Sequence, residues 1–165
     1  MPFEIYNTDY NGFINILGTV HFTRRSLEEA HYTVRETGTR DLAIELDTSR
    51  FSILNGDCNR CPVREPCPAK CEFIGACDAL GNVDANIWLI DMSQEEMRRR
   101  VRGLMNPWAA ASVWRVLMEE RNVLMAARLA WITSKRIDEG KKPNVLALVG
   151  AAHVRGIREL LKDPV

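Results

Sequence analysis

Three short apolar runs stand out along the chain, at residues 13–17, 41–46 and 145–149, the first and last of which stop at a glycine. Each is too short for a helix and lacks strict alternation, so each predicts a strand buried on both faces of a sheet. A fourth strand signal lies at residues 86–90. Between the first two runs, Ser26 and Glu29 form a capping-box pattern that predicts a helix through residue 37, ended by Gly38. A strand reached after a helix of that length runs parallel to the one before it. Asp91 or Ser93 caps a further helix reaching residue 103, and Asn106 with Pro107 opens a longer one toward Ile137. The apolar seam of that helix passes through Trp114, Leu117, Met118, Leu124, Met125 and Trp131, with Arg121 and Arg128 in the same seam. A last helix is expected over residues 154–161. The pattern predicts one α/β domain over residues 1–165, with a largely parallel central sheet flanked by helices. No repeat of solenoid length interrupts it.

Residues 55–82 break the pattern with Gly, Pro and Cys, and read as an inserted, cross-linked loop. All five cysteines lie there, as Cys58-x2-Cys61-x5-Cys67-x3-Cys71 with Cys77 beyond. That is more than the four thiolates a structural zinc ion or an iron–sulfur cluster requires. An odd count argues against a disulfide framework, and a short turn-rich segment gains order from a metal more readily than from a core of its own. The alternative is a loop of reduced thiols.

Composition narrows the functional classes. With 22 basic and 22 acidic side chains among 165 residues, nothing in the bulk charge draws the chain to nucleic acid or anionic lipid. The first residues carry Glu4 and Asp9 rather than a cationic region leading into an apolar one, so they do not read as a signal peptide. The longest apolar stretch, residues 145–152, falls well below the ~20 residues of a membrane helix. The expectation is a cytoplasmic chain without a membrane segment.

The chemistry gathers on two matching turns, Gly18-x-x-His21 and Gly150-x-x-His153. Each follows an apolar strand and precedes a helix, which places both histidines at the carboxyl edge of the sheet, where α/β proteins bind ligands. A glycine there permits a tight turn or a close backbone approach. Glu45, between Ile44 and Leu46 near a strand end, is costly unless a metal, a cation or hydrogen bonds compensate it; the plainer alternative is a side chain facing solvent or a structural Arg. Two imidazoles and a carboxylate suit a divalent ion such as zinc, manganese or cobalt, with a coordination position left for water. Arg121 on an apolar seam needs a buried acceptor or a substrate anion, or else snorkels to water, as is also open to Arg128 at the next equivalent position of the seam. Glu120 could orient Arg121 or serve as a base.

Taken in order, Gly18-Thr-Val-His21, Ile44-Glu45-Leu46-Asp47, Glu120-Arg121-Asn122 with Met125-Ala126, and Val149-Gly150-Ala-Ala-His153-Val-Arg-Gly156-Ile157 resemble the TraB/PrgY family. That family is grouped with Tiki metalloproteases, erythromycin-esterase-like enzymes and haem-binding ChaN proteins. The likeness covers residues 13–54 and 86–161 and offers no counterpart for the cysteine segment. It implies an active-site set of His21, Glu45, Glu120, Arg121 and His153, and for Tiki-like relatives a metal-dependent peptide hydrolysis. Ala152 stands where many members have Gly, and many archaeal relatives continue into membrane helices with no equivalent in these 165 residues.

The leading expectation is a metal-dependent hydrolase acting on a peptide or ester bond of a peptide or small-molecule substrate. In a metal-free variant, one histidine acts as general base with Glu45 orienting it. A different class, a non-catalytic protein binding haem, metal or peptide, uses the same residues. A redox or metal sensor centred on the cysteines is a further alternative. The apolar helix over residues 107–137 suits a groove, a homodimer face or simply core.

Overall fold

The computed structural model describes residues 6–7, 12–21, 23–56, 71–81, 84–104 and 109–162. Its strands are β1 (Tyr6–Asn7), β2 (Ile14–Thr19), β3 (Asp41–Ile44), β4 (Asn86–Leu89) and β5 (Val145–Gly150). They form one sheet in the order β1-β2-β5-β3-β4, in which β2, β5, β3 and β4 are mutually parallel and β1 is antiparallel at the edge. The helices are α1 (Arg24–Thr37), α2 (Thr48–Gly56), α3 (Glu72–Leu80), α4 (Gln94–Arg102), α5 (Ala110–Trp114), α6 (Arg121–Asp138) and α7 (Ala151–Lys162). A π-helical segment, Arg115–Glu120, joins α5 to α6.

Central position explains why β5 reads as an unbroken apolar run, since all six of its residues are buried. Its side chains alternate between two cores. Val145, Ala147 and Val149 pack with Met125, Leu129 and Ile132 of α6 and Ile157 and Leu161 of α7. Leu146 and Leu148 pack on the other face with Ala30 and Val34 of α1 and Phe73, Ala76 and Leu80 of α3. The sheet is therefore the middle of three layers.

Several expectations change. α1 begins at Arg24, with Thr23 as its cap, whose side chain accepts from the Ser26 N–H; Gly38 closes the helix in the left-handed region, as expected. Ser26 serves the preceding turn instead: its hydroxyl donates to Val20 O at 2.7 Å and accepts from Val20 N at 3.1 Å. Of the two cap candidates for α4, Ser93 holds the position, accepting from Glu96 N. The strand expected over residues 41–46 ends at Ile44, and the last helix starts at Ala151.

The long-helix seam is corrected most. Trp114 and Trp131 are exposed, whereas Asn122, Met125, Ala126, Leu129, Ile132, Thr133 and Arg136 are buried. A π-helical turn holds an extra residue, so positions before and after it no longer share one stripe at 3.6-residue spacing. Trp131 instead meets the edge of Trp88, their rings 5.7 Å apart.

The loop expected over residues 55–82 also needs correction: its second half contains α3, which is part of the core. α3 lies so close to α1 that a Cβ at Gly75 would stand 2.1 Å from Leu27 Cδ1. Cys71 is buried just before α3 and Cys77 is half-buried on it. Burial, with the nearby Asp78 charge, pushes the Cys77 thiol up to about 11. Cys58, Cys61 and Cys67, and with them the spacing that suggested a metal site, lie outside the described residues. No helix among the described residues is long and apolar enough to cross a membrane.

Candidate functional site

The carboxyl ends of the four parallel strands bring the predicted chemistry together. His21 lies two residues beyond β2, Glu45 directly after β3, and His153 in the first turn of α7, three residues past the end of β5. Asp91 follows β4. Neither motif glycine lies in the left-handed region; Gly18 sits inside β2 and Gly150 ends β5. What both permit is close approach. A Cβ on Gly18 would stand 2.6 Å from Val154 Cγ2, and one on Gly150 would stand 2.8 Å from His21 Nε2 and 3.3 Å from Glu45 Oε2. The first glycine lets α7 sit against β2, and the second leaves room for the site itself.

Glu45 is the hub. Its Oε2 accepts from Gly150 N at 2.5 Å, and its Oε1 accepts from Arg121 Nη2 at 2.5 Å. His153 Nε2 lies 3.3 Å from Oε1 and His21 Nε2 lies 4.0 Å from Oε2. Burial opposes ionisation of Glu45, but the bonds from His153 and Gly150 and the charges of His153 and Arg121 outweigh it, holding the pKa down to about 2 from 4.5. A carboxylate so depressed stabilises the fold fully above pH 4.5, and that contribution disappears as pH falls toward about 2. In metal-free protein it is worth on the order of 3 kcal/mol. Acid titrations followed by denaturant midpoint should show wild type converging on Glu45→Gln between these limits. Parallel curves would remove Glu45 as the source.

Both imidazoles are held by their other nitrogen. His153 Nδ1 lies 2.7 Å from Asn122 Oδ1, and His21 Nδ1 lies 2.6 Å from Glu72 Oε1. Each Nδ1 thus has an oxygen partner, which turns each Nε2 toward Glu45. The bond to Glu72 raises the His21 pKa above its ordinary 6.5, against the effect of burial.

Arg121 is fixed on all sides. It donates through Nε and Nη2 to the two oxygens of Asp91 at 2.9 and 2.8 Å, through Nη2 to Glu45, and through Nη1 to Leu117 O at 3.2 Å. Leu117 belongs to the π-helical segment, so the irregular turn supplies a carbonyl for the guanidinium. Asp91 also accepts from Arg50 Nη2 at 2.6 Å. Arg128 donates to Asp91 O at 2.7 Å and so caps the end of β4 rather than reaching for water.

Glu120 does not join this group. It faces α4, where its carboxylate accepts from Arg100 Nη1 at 2.5 Å. The sequence does not single out Glu72, Asp91 or Arg50 for this site; Asp91 reads there only as a candidate helix cap. Asn122, quoted in the Glu-Arg-Asn run, gains a role as the anchor of His153.

Compared with family models, curated proteins and solved structures, the chain has no significant match.

The donor set can be tested against a divalent ion. Two tetrahedral ligands at zinc distances are separated by roughly 3.4 Å, and the His153 Nε2 to Glu45 Oε1 separation is 3.3 Å. His21 stands farther off, and no group of three or more His, Cys, Asp or Glu among the described residues forms a ready metal site. His21 is partly exposed, and its Nε2 stands 4.0 Å from Glu45 Oε2. An imidazole held through Nδ1 with Nε2 toward the site is the arrangement that metal-ligating histidines adopt.

Proposed function

We propose that this chain is a hydrolase of peptide or ester bonds whose site is built from His21, Glu45 and His153, in keeping with the likeness to TraB and Tiki proteins. The observation that carries this reading is the convergence of two imidazole Nε2 atoms on one buried carboxylate, each ring anchored through Nδ1. Two lone pairs and an anion that close repel one another unless a proton or a cation lies among them. The three side chains would hold a divalent ion, zinc, manganese or cobalt.

When bound, that ion supplies Lewis acidity and makes water acidic enough to act as a nucleophile near neutral pH. The protein's own groups do the positioning. Gly150 N and Arg121 fix the two oxygens of Glu45, so its charge stays in one place. Four bonds engage Arg121, which makes it chiefly the holder of Glu45. The amino end of α7 begins at Ala151, and its first-turn N–H groups lack intrahelical acceptors. They offer positive potential beside Glu45 for an oxyanion of the substrate.

A metal-free route finds support in one contact: the 2.6 Å bond from His21 to Glu72 is a carboxylate–imidazole pair suited to general-base work, with Glu72 rather than Glu45 as the orienting acid. Metal content and hydrolysis of a peptide and ester panel, measured for wild type and for His21→Ala/His153→Ala, decide between these. The metal reading expects the double variant to lose one equivalent of metal together with turnover. Activity that survives exhaustive chelation and depends on His21 alone would move the assignment to the metal-free route. Full activity in the double variant would end both.

A further inference from the structure

Glu72 opens α3 and is fully buried. An ionised carboxylate at such depth is costly unless other groups hold it there. Its surroundings supply them. It sits in the first turn of a helix, where the macrodipole favours negative charge. Thr19 Oγ1, at the end of β2, donates to Oε1 at 3.4 Å, and His21 Nδ1 lies 2.6 Å from the same oxygen.

α3 also brings a second group to the same imidazole. The Phe73 ring lies 5.7 Å from the His21 ring, inclined by 39°. Consecutive residues of one helix thus contact the edge and flank of one ring. The helix is itself immobilised by the Gly75–Leu27 approach and by burial of Phe73, Ala76 and Leu80. His21 stands in a turn outside regular structure and is half-exposed, so its own backbone does not fix its ring. α3 supplies two contacts that orient it.

We propose that Glu72 is the positioning residue for His21: it holds hydrogen on Nδ1 and so directs the Nε2 lone pair at Glu45. This rests on the hydrolase reading only in the use to which His21 is put; the orientation of the ring stands apart from it. Carboxylates behind ligating histidines fix tautomer and ring direction, and their loss typically weakens metal binding 10- to 100-fold.

The test has two readouts. In metal-free, ¹⁵N-labelled protein at alkaline pH, long-range ¹H–¹⁵N spectra report the tautomer of each neutral histidine, with the His21 signals assigned by their loss in His21→Ala. Wild type should show His21 protonated at Nδ1. Glu72→Met, which keeps the length of the side chain and removes the acceptor, should shift the population toward the Nε2–H form. Titration with Mn²⁺, a hard ion that thiolates bind weakly, should show affinity falling about 10- to 100-fold in Glu72→Met. Glu72→Gln, which retains an acceptor oxygen, should lose less. A wild-type His21 protonated at Nε2, or a folded Glu72→Met with unchanged tautomer, overturns the proposal. Should Glu72→Met fail to fold, the wild-type spectrum alone still decides. Wild type that binds no Mn²⁺ sinks the metal reading, and the tautomer measurement then judges Glu72 independently.

Discussion

Replacing Arg121 with Met is expected to cost roughly 3–5 kcal/mol of folding stability and to abolish ordered metal binding at the histidines. Met retains most of the apolar stem, so the loss reports on the guanidinium rather than on packing. Without it Glu45 loses the 2.5 Å donor on Oε1, and Asp91, 1% exposed, loses two of its bonds. Asp91 keeps Arg50, while Glu45 keeps Gly150 N and the imidazoles. Two anions then share a pocket with less positive charge than they need, and one of them must protonate or draw in water. Arg121→Lys should recover only part of the stability, because a single ammonium cannot span Asp91, Glu45 and Leu117 O as the planar fork does. Denaturant midpoints for the three proteins check the first claim, and Mn²⁺ titration of the folded variants checks the second. A Met variant within ~0.5 kcal/mol of wild type would show that the guanidinium is incidental to the hub.

Much of this arrangement is legible in the chain because it depends on local pattern. The runs at residues 13–17 and 145–149 read as buried strands since parallel strands covered on both faces tolerate few polar residues. Once strands and helices alternate, the carboxyl edge is the place for His21, Glu45 and His153. The contacts that orient those side chains are another matter. Glu72 reaches His21 across 51 positions of sequence, from a segment in which Cys, Pro and Gly mask the helical pattern. The helical signal was present in Phe73, Ala76 and Leu80, spaced three and four apart. The π-helical turn has no compositional mark and breaks the single stripe expected from Trp114 onward, while within α6 Trp131 lies off the face that buries Met125, Leu129 and Ile132. Glu120 illustrates the same limit, since adjacency to Arg121 in sequence places it on a different face of the helix, against Arg100. Adjacent helical residues diverge by about 100°, and which of two neighbours faces a site is settled by packing.

The opposite end of the sheet offers a large effect on stability with none on the site. Asp41 opens β3, paired with Val145 and Asn86 at the starts of their strands. It accepts from Arg136 Nε at 2.9 and 3.0 Å and Nη2 at 2.6 Å, and from Trp88 Nε1 at 2.8 Å. Arg136 is 7% exposed, with Glu139 as its other acidic partner. Asp41→Ala leaves that guanidinium and the indole N–H short of acceptors, and a loss of about 3–5 kcal/mol is expected. Four residues along β3 separate this lock from Glu45, roughly 13 Å at ~3.3 Å per residue, so the folded fraction of Asp41→Ala should bind Mn²⁺ as wild type does. A paired replacement, Asp41→Leu with Arg136→Met, tests the cause. Removing both charges spares the desolvation of each, so the double variant should regain most of the stability lost by the single one. A double variant as unstable as Asp41→Ala would assign the loss to the Trp88 bond and local packing. A change in Mn²⁺ affinity would mean that strain at one edge of the sheet reaches the other.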